Sequence, residues 1–171
     1  MIEKNIVWNK FIRLTHWLVA VIIVLNMFVY EDGDDIHIWL GYIAAGIVIL
    51  RLVYGFISRD QAHSLSNFPL SPSSLFKFFQ DKIENRDTKY KGHNPAASLI
   101  YILIWLCVFG LAITGWMLGL DRFFGSDEVE EAHVIINTVL QVTIVIHLLG
   151  MLVDGIQFKR HTWLGMFTGK K

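Results

Sequence analysis

The sequence predicts an all-α integral membrane protein, a four-transmembrane-helix bundle with both termini cytoplasmic. Three observations carry this. Hydrophobic residues make up 54% of the 171 and charged residues only 18%, against about 25% charged in ordinary soluble domains. Four apolar runs are each long enough to cross a hydrocarbon core as a helix. And 14 of the 15 basic residues fall on one side of those runs.

The first run spans about 11–30. Lys4, Lys10 and Arg13 precede or open it, as in a signal peptide, but it ends in the acidic EDGDD rather than at a small-residue cleavage site. It therefore reads as a retained helix. The second spans about 36–57, the third 95–120 and the fourth 129–158. The links between them are short, long and short, and short links make antiparallel neighbours. Helices satisfy the backbone in lipid, and these runs lack the alternation of strands. No internal repeat divides the chain, so residues 1–171 are expected to form a single domain.

The long link, 58–94, exceeds a bare loop in a compact domain. Ser71-Pro72 reads as a cap followed by proline at the first helical position. Leu75, Phe76, Phe79 and Ile83 then share a face opposite Lys77 and Asp81. This predicts a short amphipathic helix on the cytoplasmic membrane surface.

Orientation follows from charge. Lys4, Lys10, Arg13, Arg51, Arg59, the link lysines and arginine, and the tail Lys159, Arg160, Lys170 and Lys171 lie on one side. The other side has Arg122 alone among basic residues, with Glu31, Asp32, Asp34, Asp35, Asp121, Asp127, Glu128, Glu130 and Glu131. The positive-inside rule places the basic side in the cytoplasm. The net charge is zero, and no nucleic-acid partner is expected.

The fourth run carries His133 and His147. Fourteen residues at about 1.5 Å each separate them by about 21 Å and return them to nearly the same face. Ionisable side chains at such depth point to function, and imidazole is a common haem-iron ligand. His16 lies near the cytoplasmic end of the first run and His37 near the outer end of the second. Depth pairs His16 with His147 and His37 with His133. Each pair is placed to clamp one iron from opposite faces of a porphyrin, giving two haem b groups stacked across the membrane. The chain has one cysteine, Cys107, and no C-x-x-C-H motif, which excludes covalent c-type haem. Cys107 reads as apolar filler.

The second run places His37, Gly41, Ala44, Val48, Arg51 and Gly55 on one stripe. Its small residues leave room for a flat macrocycle or serve close helix packing. Arg51, 14 residues after His37, is expected at the inner level, where a cation pairs with haem propionates. At the cytoplasmic rim, KGHNPAASL opens the third run with Asn94 as N-cap and Pro95 at N1. Asn94 or His93 is a candidate donor to a quinone carbonyl. Asp154, two turns after His147, is a candidate for quinone protons or for an ion pair with Arg13 or Arg51. His63 reads as solvated and His161 as interfacial.

The segments LTHW, HIWLGY…LRLVYGF, GHNPAAS…GLAITGWML, the His133/His147 pair and HTWLGMF resemble the bacterial cytochrome b561 and Ni,Fe-hydrogenase b-type cytochrome family. The resemblance implies a four-helix dihaem cytochrome exchanging electrons with membrane quinone in the bacterial inner membrane. It implies His16, His37, His133 and His147 as iron ligands and transfers the quinone site to Asn94 more firmly than to His93. The family also includes superoxide oxidases, which pass electrons from superoxide to ubiquinone. An enzyme collecting an anion needs a positive mouth, whereas this outer face is acidic. The expected outer partner is therefore a c-type cytochrome or redox subunit. A haem-free membrane scaffold or transporter is the non-redox alternative.

Overall fold

A computed structural model describes residues 7–60, 64–86, 93–159 and 161–170. His63 lies outside them, as do the basic residues Lys4, Lys89, Lys91, Arg160 and Lys171. The helices are α1 (Lys10–Phe28), α2 (Asp35–Ile57), α3 (Pro72–Ile83), α4 (Pro95–Leu118), α5 (Asp127–Phe158) and α6 (Gly165–Thr168). Four of them, α1, α2, α4 and α5, are long and apolar enough to cross a membrane. Among the described residues there is no strand.

The helix starts follow capping chemistry. Asn9 accepts the Ile12 N–H ahead of α1, Ser71 the Ser74 N–H ahead of α3, and Asn94 the Ala97 N–H ahead of α4. Each satisfies a donor that has no partner within its own helix. α5 starts at Asp127, two residues before the sequence expectation of 129. Its first turn carries Asp127, Glu128 and Glu130, where negative charge offsets the positive end of the helix dipole.

α1 packs on α2, α2 on α4, and α4 on α5. The core joins Ile22 of α1, Ala44, Ala45 and Val48 of α2, and Val108 of α4. α5 leans on α4, and among the described residues it shares no extended backbone contact with α1 or α2. A seam therefore runs between α5 and the α1–α2 pair. All four chain crossings leave the termini and the α2–α4 link at one end of the bundle, the basic end. The α1–α2 and α4–α5 links form the acidic end.

Two features of the basic end go beyond the sequence pattern. First, Asp81 of α3 is buried at 3% exposure, with Phe78 beside it on the bundle side, whereas Phe76, Phe79 and Ile83 point outward. Asp81 and Phe78 face the bundle, and beside them Lys82 forms an ion pair with Asp154 at 2.5 Å, while Lys77 stays exposed. Gln157 also donates to the Lys82 carbonyl (2.8 Å) and to Asn85 Oδ1 (2.7 Å). Second, the tail folds back. The N–H groups of Val7 and Trp8 donate to the Gly169 carbonyl at 2.8 and 3.0 Å. Trp17 Nε1 donates to the Met166 carbonyl at 3.2 Å, and Arg13 to the carbonyls of Met166 and Phe167. Gly169 turns the chain at φ 77°, in the left-handed region open to glycine.

Gly55 shows how tightly the link is seated. A Cβ there would lie 2.5 Å from Leu65 Cγ and 2.8 Å from Arg51 Nη1. Overpacking of this kind costs about 1–3 kcal/mol. Gly55→Ala is expected to lower the thermal midpoint of the detergent-solubilised protein, while Gly46→Ala, with nothing within 4 Å, leaves it in place.

Candidate cofactor site

Across the seam the structure brings the four membrane histidines into two facing pairs. The rings of His16 (α1) and His147 (α5) have centroids 6.5 Å apart at 53°. Those of His37 (α2) and His133 (α5) are 6.4 Å apart at 50°. The first pair lies toward the basic end and the second toward the acidic end. Two nitrogens bonded to one metal from opposite sides at about 2.0–2.1 Å, each about 1.1 Å from its ring centre, would place the centres about 6.3 Å apart. Both pairs therefore fit a bis-imidazole iron site.

The surrounding atoms fit as well. His16 Nδ1 and His37 Nδ1 are buried with no hydrogen-bond partner. Direct ring–ring hydrogen bonding is thus not what holds the pairs together. Gly41, one turn after His37, would point a Cβ into open space. The glycine stripe of α2 is not uniform: Gly41 has open space beside it, whereas Gly55 is packed against Leu65 of the link.

Neighbouring residues brace two of these histidines, one through its backbone and one through its ring. Asn26 Nδ2 of α1 donates to the His37 carbonyl at 3.1 Å, tying α2's first turn to α1. Thr114 Oγ1 of α4 sits 2.7 Å from His133 Nδ1. Neither residue is distinguished by the sequence pattern, since each depends on the register between helices. Arg51 is buried at 6% exposure, with its guanidinium 5.7 Å over the Trp105 ring.

At the basic end, His93 is packed among Trp8 (4.6 Å), Phe68 (4.8 Å) and Tyr101 (4.6 Å). Tyr101 in turn lies 6.1 Å from His147, so aromatic contacts connect His93 to the His16–His147 pair. Asn94 is partly buried and uses its Oδ1 to cap α4, accepting the Ala97 N–H at 2.7 Å. Its NH2 group is the donor left to offer a ligand. Asp154 is joined to Lys82, where the sequence suggested Arg13 or Arg51; those two are directed to the tail carbonyls and to Trp105. His161 lies apart from these groups, lining a cavity of about 400 Å³ with Lys159 and Trp163 against α5.

At the acidic end Glu31, Asp32, Asp34 and Asp35 are exposed, as are Asp127, Glu128, Glu130 and Glu131. The last four are helical, on the first turns of α5. Asp32 approaches His37 Nδ1 at 3.8 Å.

A family model described as prokaryotic cytochrome b561 matches residues 7–169. No curated protein and no solved structure matches the chain.

Proposed function

The chain belongs to the prokaryotic cytochrome b561 family, whose members are membrane b-type cytochromes, and from that premise we propose a dihaem carrier. It exchanges electrons between the quinone pool and a redox partner at the outer face of the bacterial inner membrane. The observation that supports this most directly is the pair of matched histidine separations between α5 and the α1–α2 pair. His16 and His147 hold the inner haem b and His37 and His133 the outer one. Haem, when bound, supplies one-electron exchange at each level. The side chains do the rest. Arg51 offers a buried cation to the inner propionates. Ala44 and Val48, buried against Ile22 and Val108, hold α2 to α1 and α4, and the apolar helices exclude water from the seam.

The basic end faces the cytoplasm by the distribution of lysine and arginine. There the Asn94 NH2 donates to a quinone carbonyl, with His93 behind it, and Asp154 with its Lys82 partner handles quinone protons. The acidic outer end receives a basic c-type cytochrome or redox subunit. Pyridine haemochrome assay of the purified protein is expected to give close to two haem b per chain. No Soret band under haem-sufficient expression would remove this reading.

The quinone site has its own test. Asn94→Asp keeps the oxygen that caps α4 but loses the NH2 donor. Losing a buried hydrogen bond costs about 1–3 kcal/mol, so haem reduction by quinol is expected to slow about tenfold with the absorption spectrum intact. An unchanged rate takes Asn94 out of the site.

A further inference from the structure

Among the described residues, the Thr114–His133 contact is the one hydrogen bond made by a ring nitrogen of the four membrane histidines. Its direction can be worked out. Thr114 Oγ1 lies 2.9 Å from the Gly110 carbonyl and 3.2 Å from the Leu111 carbonyl. A carbonyl only accepts, and a hydroxyl has a single proton to give. With that proton directed back to α4, the oxygen accepts from His133 Nδ1–H at 2.7 Å. The ring is then the Nδ1–H tautomer, and its lone pair sits on Nε2. Gly115 lies beside the same ring: a Cβ there would make an ordinary van der Waals contact, 3.7 Å from His133 Cε1.

The other three rings have no such support. His16 Nδ1 and His37 Nδ1 are buried without a hydrogen bond. Asp32, the acidic group facing His37 Nδ1, stands off at 3.8 Å with a 97% exposed side chain. Among the described residues, no hydrogen bond reaches the His147 ring.

We propose that Thr114 is a positioning residue for the acidic-end centre: its hydroxyl fixes the tautomer and rotation of His133 and strengthens that ring as a donor. This rests on the ligand reading above. An imidazole whose outer N–H is hydrogen-bonded is a more basic ligand, and such partners fix ring orientation. The more basic ligand favours the ferric form, so Thr114 holds the outer centre at a lower reduction potential than its ligand set alone would give. The inner centre, with a partnerless His16 ring and no hydrogen bond on His147, receives no such bias.

The test is a redox titration of the two spectral components in Thr114→Val and Thr114→Ser. Valine keeps the volume and removes the acceptor; serine restores it. Thr114→Val is expected to retain two haems and move the outer midpoint upward by about tenfold in the ferrous:ferric ratio, about 59 mV for one electron. The inner midpoint stays fixed, and serine returns the outer one toward wild type. An outer midpoint that is unchanged or falls, or two midpoints that move together, overturns the proposal. Should the valine variant lose the outer haem, retention in the serine variant still assigns the role to the hydroxyl, and loss in both assigns it to packing and overturns the proposal. Absence of haem from the wild type would count against the ligand reading and not against Thr114.

Discussion

Replacing His16 or His147 by alanine should leave one haem per chain, the outer one, and replacing His37 or His133 should leave the inner one. Each substitution deletes one of the two nitrogens that hold an iron and leaves a cavity where its ring stood. The near-equal separations, 6.5 and 6.4 Å, make the two pairs independent units about 21 Å apart along α5. Haem content should fall by half in all four variants, and the lost spectral component should be shared within each pair. Loss of the same component from His16→Ala and His133→Ala would refute the pairing.

Neutralising the acidic end should change the rate of outer-face electron exchange by an order of magnitude or more. Steering by a charged surface raises on-rates by about 10- to 1,000-fold and fades with salt over a screening length of about 8–10 Å. Exchange with a basic c-type cytochrome is therefore expected to slow steeply as salt is raised. The variant Asp127→Asn, Glu128→Gln, Glu130→Gln, Glu131→Gln should be slow at low salt and nearly indifferent to salt. Superoxide carries the opposite charge to such a partner, so any haem reduction by it should speed up with salt. Stopped-flow traces at several ionic strengths separate the two cases. Fast superoxide oxidation at low salt, with no exchange with cationic cytochromes, would replace the carrier reading by the oxidase one.

The spanning helices were legible because each is a long apolar run, and the starts of α3 and α4 were legible because Ser71 and Asn94 supply caps beside a proline. The 14-residue interval on α5 was legible because helical geometry is local. What the sequence concealed depends on contacts between distant segments. The face that α3 turns to the bundle is set by Lys82 meeting Asp154, 72 residues away; hydrophobic periodicity alone separated Asp81 from the apolar face without saying which face meets the bundle. The tail's return onto α1 is built from backbone hydrogen bonds to Gly169 and from Arg13 reaching two carbonyls. Carbonyl partners leave no mark in side-chain pattern, so Arg13 had been matched to a carboxylate. Thr114 was hidden for the same reason: its meaning comes from the register of α4 against α5.

α5 is one uninterrupted helix of 32 residues. At about 1.5 Å per residue it is about 48 Å long, against a hydrocarbon core of about 30 Å. It must tilt or stand out of the bilayer, and its charged first turns are the part suited to stand out. Asp127, Glu128, Glu130 and Glu131 then ride on a rigid post rather than on a loose loop. Ordering a backbone residue costs about 1–2 kcal/mol, and here folding has already ordered these. The partner proposed for this face would meet carboxylates fixed in place, so its association would lose little chain entropy there.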